Sequence, residues 1–296
     1  MLFRKEKVME KNHSVYSAKT KFIRLLLTVF LLIAAAFTVY PLIYIVLGSF
    51  KENAELLRGG TKLLPETFVL DNYKEAWEKA NFARYTWNSV IISLGVMLVT
   101  LFATSMSGYV FARKDFRGKE LLYSLFVAFM FVNVGSVTLR PLFELAVKVK
   151  MNTSLMSVTL IAAGTAQTTY IFLVRGFVNT IPKELDEAAK MDGCTFFQIF
   201  YMVILPLLKP VLSTVALLSF RGGWNEYIMP LVFTMSTDKM RHLTVGVTML
   251  KNSGDGTAAW NLMFAGATIS IVPIIVIYNF SSKHFMSGMT AGAVKG

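Results

Sequence analysis

Six long apolar runs, almost free of charge, limit what this chain can fold into. They lie at roughly Leu25–Phe50, Ser89–Ala112, Leu121–Leu139, Thr153–Val174, Val203–Phe220 and Leu262–Phe280. About 20 helical residues cross the ~30 Å hydrocarbon core of a bilayer. A helix also satisfies its own backbone hydrogen bonds, which lipid cannot do. The expectation is an all-α polytopic membrane protein with six transmembrane helices, built from a leading segment 1–24, a transmembrane domain 25–282 and a tail 283–296. Composition agrees, because 54% apolar against 16% charged residues is too little charge to cover a soluble domain of this length.

The first run follows Lys19, Lys21 and Arg24 and contains Ala34-Ala35-Ala36, features a secretory signal would also show. The apolar stretch continues through Leu42–Leu47, beyond the alanines, so it reads as a span. Orientation follows from basic flanks. Arg113, Lys114, Arg117 and Lys119 fall within seven residues and place that turn inside the cell. With it go both termini and the Arg175–Met202 loop, in the membrane of a bacterial cell. The external segment 51–88 carries Tyr73, Trp77 and Trp87, and Asp71-Asn72-Tyr73 before Glu75-Ala76-Trp77 has the form of a capped short helix. A helix lying on the membrane and a platform for an outside partner fit that segment equally well.

The net charge of +12 does not indicate nucleic acid, because the basic residues sit between apolar runs, where they meet anionic headgroups. The single cysteine, Cys194, excludes an internal disulfide, and no Cys/His cluster suits a metal. His13, His242 and His284 are isolated and read as tail or loop residues. No GxxxxGK[ST] phosphate loop occurs, and no nucleophile–base grouping is visible, so the chain reads as a non-enzyme that binds no cofactor itself.

The most informative stretch is the loop 175–203. Ile181-Pro182-Lys183-Glu184 opens a helix with proline and acids suited to its first turn. Leu185, Ala188 and Ala189 recur at helical spacing, so one face is apolar and small. Asp192-Gly193 supplies a turn, and a second helix covers Phe196–Tyr201. Pro206 and Pro210 break or kink the span that follows. From these residues alone, a docking element for another protein and an interfacial helix with no partner both remain open.

Glu187-Ala188-Ala189, then Asp192-Gly193, then Ile204-Leu205-Pro206 resembles the EAA loop of binding-protein-dependent ABC importer permeases. Gly223-Trp224-Asn225-Glu226-Tyr227 and the ending Gly288–Gly296 are similar to the maltose-type (MalG-like) carbohydrate permease branch, as is the layout of the whole chain. The resemblance implies a permease subunit that pairs with a second, homologous permease and two copies of an ATPase that bind ATP and Mg. It implies an extracytoplasmic binding protein that delivers a sugar, most naturally an oligosaccharide. Glu187, Ala188, Ala189, Asp192 and Gly193 would then form the ATPase-coupling helix, and Ala293, Val294, Lys295 and Gly296 a tail reaching the ATPase dimer. Cys194 stands where many members carry alanine, a small-for-small change.

Polar groups inside spans face protein or water. Asn88, Ser89, Ser93, Asn133, Gln167, Thr168 and Thr169 are therefore candidates for a substrate path, and equally for hydrogen bonds between helices. Asn133 and Gln167 offer donors and acceptors together, as hydroxyl-rich ligands need. Trp224, Asn225, Glu226 and Tyr227, at the outer end of the fifth run, suit a gate, a binding-protein contact or an aromatic anchor. Within the family, glycerol-3-phosphate is the competing cargo, disfavoured by the lack of a basic cluster in the spans. A self-contained secondary transporter is the competing class, disfavoured by the absence of a visible internal repeat.

Overall fold

The structure is a computed structural model. It describes the backbone of residues 2–293 except 60–61, 133–134, 166, 236 and 255, and side chains from residue 20 to 279 with those positions, 136 and 165 left out. All regular structure among the described residues is helical, with no strand. Three helices are individually long and apolar enough to cross a membrane: Thr20–Gly48, Phe82–Arg113 and Trp260–Asn279. Two more spans qualify as bent pairs. Leu155–Gly164 with Gln167–Val178 turns through 54°, and Phe196–Leu207 with Lys209–Asn225 through 79°.

The first helix, α1 (Leu2–Gly48), leaves its apolar residues from Phe22 to Tyr40 exposed. A surface of this kind is stable only against lipid or another protein. Among the described residues its anchorage is at the end, where Tyr44 meets Phe264 edge-on at 6.0 Å between ring centroids. Two short helices follow, α2 (Asn53–Leu57) and α3 (Asp71–Lys79). In α3 the expected cap is absent: Asp71 lies in the first turn, and Leu70 precedes it without a side-chain bond. Asn72 is instead a clasp, donating to the carbonyls of Ser49 and Lys51 and accepting from Asn261.

The long helix α4 (Phe82–Arg113) is the central post. Around it pack α7 (Leu155–Thr165), α8 (Gln167–Val178) and α12 (Lys209–Asn225). Helices approach closely in lipid where a small residue removes the side chain between them. At Gly108 an added Cβ would lie 2.6 Å from Val174 of α8, so only glycine permits this crossing. Ser93 and Thr104 turn their hydroxyls back onto the carbonyls of Ser89 and Thr100, which satisfies them inside the apolar bundle.

The third apolar run, expected as one span over Leu121–Leu139, is not one helix. It forms α5 (Lys119–Phe129), a 3-10 turn at Gly135–Thr138 and α6 (Leu139–Lys148). Helix α5 already stops at Phe129; Gly135, at φ +57, opens the 3-10 turn in a left-handed conformation, and Pro141 falls in the first turn of α6. The fifth span also differs from its expected bounds. Helix continues past Phe220 to Asn225, which brings Arg221 into α12 rather than into a loop. The remaining elements are α9 (Glu184–Met191), α10 (Phe196–Gln198), α11 (Leu205–Leu207), α13 (Ile228–Thr234), α14 (Leu243–Leu250) and α15 (Trp260–Ala293).

Three apolar clusters divide the bundle. One, at the end holding the 175–203 loop, includes Tyr109, Val174, Val178, Ile181, Ala189, Ile199 and Ile204. A second, at the opposite end, includes Phe82, Tyr85, Trp224, Leu243 and Leu262. The third joins Ile92, Val96, Val158, Met229 and Phe233 between α4, α7 and α13.

Candidate functional site: the loop between the fourth and fifth spans

The loop leaves α8 through a tight turn in which Ile181 N donates to the Val178 carbonyl, and Ile181 is buried. Pro182 and Lys183 lead into α9, whose first turn carries Glu184, Asp186 and Glu187 at the positive end of the helix dipole. The helix ends in a Schellman arrangement. Cys194 N donates to the Ala189 carbonyl and Gly193 N to the Lys190 carbonyl, with Gly193 at φ +83. A Cβ at Gly193 would meet nothing within 4 Å, so the demand for glycine is purely conformational.

The next helix starts at a capping box that the sequence reading passed over. Thr195 N donates to Gln198 Oε1 at 2.7 Å, and Gln198 N donates back to Thr195 Oγ1. From Phe196 the chain continues through a π-helical stretch, Ile199–Ile204, to α11, and the 79° bend falls between Leu207 and Lys209. Pro206 and Pro210 flank this bend, as the sequence indicates, because proline removes an internal donor and crowds the preceding turn.

What holds α9 in place is a buried cluster centred on Asp186, also missed in the sequence. Asp186 accepts from Tyr109 Oη at 2.9 Å and from Arg113 Nε at 2.9 Å. Arg113 spends a second donor on the Ile181 carbonyl at 2.7 Å. The two side chains of the ion pair are only 6% and 9% exposed. Tyr109 also stacks on Phe196 at 4.8 Å, and Lys114 lies 4.5 Å above the other helix's ring at Phe196. The last turn of α4 thus grips both helices of the loop. A clue existed in the sequence, since Asp186 breaks the small apolar face while Arg113 stands among cations, but the two are far apart along the chain.

The same helix has an outward side. Ala189 and Asp186 face in, whereas Leu185, Glu187, Ala188 and Asp192 are exposed and Met191 is 89% exposed. Phe197, Tyr201 and Met202 extend this apolar surface. Beside it a cleft of about 260 Å³ is lined by Lys114, Lys183, Glu187, Lys190 and Cys194 among others. The arrangement can present a rigid ridge to another protein. Among the described residues no group of His, Cys, Asp and Glu could hold a metal ion.

The residues proposed for a substrate path do not form one cluster. Asn88 is buried and donates to the carbonyls of Lys239 and Arg241. Ser89 accepts from Leu243 N, and Ser93 bonds within its own helix. Gln167 donates to the Ala163 carbonyl and weakly to Thr100, while its buried Oε1 has no partner among the described residues. Thr168 is half-buried, and Thr169 and Asn225 are exposed. Glu226 accepts from Met229 N through its carboxylate and from Thr244 through its carbonyl. Asn133, Val294, Lys295 and Gly296 lie outside the described residues, as does the side chain of Ala293, in the last turn of α15.

His242, expected as an ordinary loop residue, is fully buried. The Thr244 hydroxyl donates to the Glu226 carbonyl, so His242 Nδ1 must carry the proton and donate to Thr244 Oγ1. Burial pushes the imidazole down to about 4, with the nearby Gly223 backbone working weakly the other way.

Residues 14–290 match the family described as "Binding-protein-dependent transport system inner membrane component". The arabinooligosaccharides transport system permease protein AraQ of Halalkalibacterium halodurans is 34% identical, over 92% of this chain and 96% of its own length. The galactooligosaccharides transport system permease protein GanQ of Bacillus subtilis is 32% identical, over 93% and 97%. A solved bacterial ABC transporter involved in the import of the acidic polysaccharide alginate shares the fold, with a TM-score of 0.75, 22% identity and coverage of 90% of this chain and 97% of that one. The all-α bundle is thus that of a transport subunit that works with an ATPase and a solute-binding protein, and the chain belongs to the family of binding-protein-dependent inner membrane permeases.

Proposed function

We propose that this chain is one of two homologous permease subunits that together conduct an oligosaccharide into a bacterial cell. Both termini and the 175–203 loop lie in the cytoplasm in this reading. The loop docks on one subunit of an ATPase dimer, which binds ATP and Mg, and the tail Ala293–Gly296 reaches the same dimer. The chain itself binds no cofactor. The observation that carries the motor assignment is the two-sidedness of α9. Asp186 and Ala189 lock it to its own subunit, while Leu185, Ala188 and Met191 stand free for a groove on the partner. Glu187, Asp192 and Gly193 shape the two ends of that ridge. Carbohydrate cargo is supported by the names of the arabino- and galactooligosaccharide relatives.

Transport then follows alternating access. Closure of the ATPase dimer displaces the loop, and the spans rock to expose the path on the outer side. Such a shift needs contacts at α9 that differ between the two states. Thr169 and Asn225, being exposed, are the path candidates best placed to meet a sugar, with Asn88, Asn133, Gln167, Thr168 and Glu226 as the others. Glu187→Lys and Gly193→Pro should each abolish oligosaccharide uptake in proteoliposomes while the subunit remains in the membrane. Normal uptake and normal coupling to ATP hydrolysis in both variants would overturn the assignment. A ligand screen on the cognate binding protein identifies the sugar.

A further inference from the structure

The second half of the 175–203 loop lies at a different height from α9. From Phe196 to Leu207 the chain runs at 79° to α12, and α12 alone holds 17 residues, ~26 Å of helix. That length already covers most of the ~30 Å hydrocarbon core, so the crossing does not need the stretch before it. A helix turned so far from a span lies close to the plane of the membrane. Its height follows from α4. Tyr109 stacks on Phe196 at 4.8 Å and meets Phe200 at 5.2 Å, whereas Arg113, ~6 Å further along the axis, binds Asp186 of α9. Tyr109 belongs to the uncharged run of α4, and Arg113 opens the basic turn with Lys114, Arg117 and Lys119. The stretch Phe196–Leu207 therefore lies at the edge of the hydrocarbon, and α9 one helical turn beyond it.

The two sides of this stretch differ. Ile199, Phe200, Ile204 and Leu208 are buried in the bundle. On the other side Phe197, Tyr201 and Met202 are 64%, 70% and 64% exposed, and Leu207 ends the strip. Such a strip is unstable against water, and tyrosine suits a boundary because its ring is apolar while its hydroxyl stays wet. Cations flank the strip. Lys114 lies 4.5 Å over the Phe196 ring, and Lys209 is exposed at the far end. That charge complements the anionic headgroups of an inner leaflet. A soluble ATPase meets α9 first, because α9 reaches further from the hydrocarbon.

We propose that Phe197, Tyr201 and Met202 seat the loop in the inner leaflet, between anionic headgroups and the first acyl carbons, while α9 alone meets the ATPase. The inference rests on the cytoplasmic placement of the loop proposed above and adds a second partner, the lipid surface, to the same loop. The test uses the assembled permease–ATPase complex in nanodiscs of phosphatidylglycerol and phosphatidylethanolamine, in a Cys194→Ala background. Phe197→Cys, Tyr201→Cys and, for comparison, Met191→Cys each carry an environment-sensitive fluorophore. Lipids spin-labelled just below the headgroup should quench the probes at positions 197 and 201 at least ~threefold more than the probe at 191, with the ATPase bound or removed. The probe at 191 should be quenched by aqueous iodide and shielded from it when the ATPase binds. Met202→Cys gives the same readout should a labelled variant fail to assemble. Iodide quenching at 197 and 201 in place of lipid quenching overturns the proposal. So does loss of lipid quenching there when the ATPase binds, because the ATPase then covers the strip. Access to neither quencher overturns it as well, by assigning the strip to the second permease. A probe at 191 that the ATPase leaves unshielded would instead strike the docking role of α9.

Discussion

The two ends of the bundle fasten their loops by opposite means. At the 175–203 end, α9 is tied to α4 by charge, through the buried pair Arg113–Asp186 and the Tyr109 hydroxyl. At the other end, the stretch from Lys239 to Thr244 is tied to α4 by neutral groups. Asn88 holds two of its carbonyls, Ser89 holds the Leu243 amide, and Thr244 holds Glu226. His242, in the middle of that stretch, is fully buried. A charged clasp is costly to break by mutation, because each partner left behind is an uncompensated charge. A buried imidazole beside a neutral clasp is costly to charge instead, because the proton arrives where no counter-ion meets it.

The comparison breaks most visibly at Asp186. Asp186→Ala leaves Arg113 buried without its carboxylate, and we expect a loss of about 3–5 kcal/mol, read as a fall in the thermal midpoint of the purified complex. Replacing both residues together, as Arg113→Met with Asp186→Leu, should cost far less, because no charge is stranded. Equal losses in the single and double variants would show that shape rather than charge holds α9.

The opposite end should respond to pH instead. His242 titrates near 4 when folded and near its ordinary 6.5 when unfolded. Between those values the unfolded chain binds the additional proton, so stability is full above about pH 6.5 and falls as pH drops towards 4. Between pH 7 and pH 5 the loss should be about 2 kcal/mol. His242→Gln should flatten that slope, while Asp186→Ala should leave it in place. A slope unchanged in His242→Gln would remove the histidine from the account.

The smallest expected effect separates backbone demand from either clasp. Gly193→Ala puts a Cβ in open space but in a left-handed conformation, at about 1–2 kcal/mol. Gly193→Asn should cost less, since asparagine tolerates that conformation. If alanine and asparagine melt alike, the turn relaxes out of its left-handed form.

Much of this was legible in the sequence, and the exceptions have physical causes. Long uncharged runs located helices because lipid leaves a backbone no other way to satisfy itself. The break in the third run was missed because Leu121–Leu139 is apolar enough overall. Its helix stops at Phe129 and the chain resumes as a 3-10 turn at a left-handed Gly135, backbone changes that hydropathy does not register. Asp192-Gly193 was readable because its geometry is local. Asp186 was not, because its partners lie 73 and 77 residues earlier on another helix, where Arg113 had been counted only as an orientation signal. The Thr195–Gln198 box was a local signal that was available and overlooked. Arg221 escaped because the fifth span was ended one residue before it.

The placement of the Arg113–Asp186 pair decides where a mechanical load enters the molecule. The loop joins α8 to the bent fifth span by its covalent ends, yet its stiffest lateral tether runs to α4. In the proposed docking role, a push on α9 meets first the foot of the post that α7, α8 and α12 all lean on, as on a tiller fixed to its rudder shaft. The 79° corner at Leu208 acts as a second arm set crosswise to the first. The loop is thus fastened to two columns that lie at a large angle to each other, one through its ion pair and one through its chain.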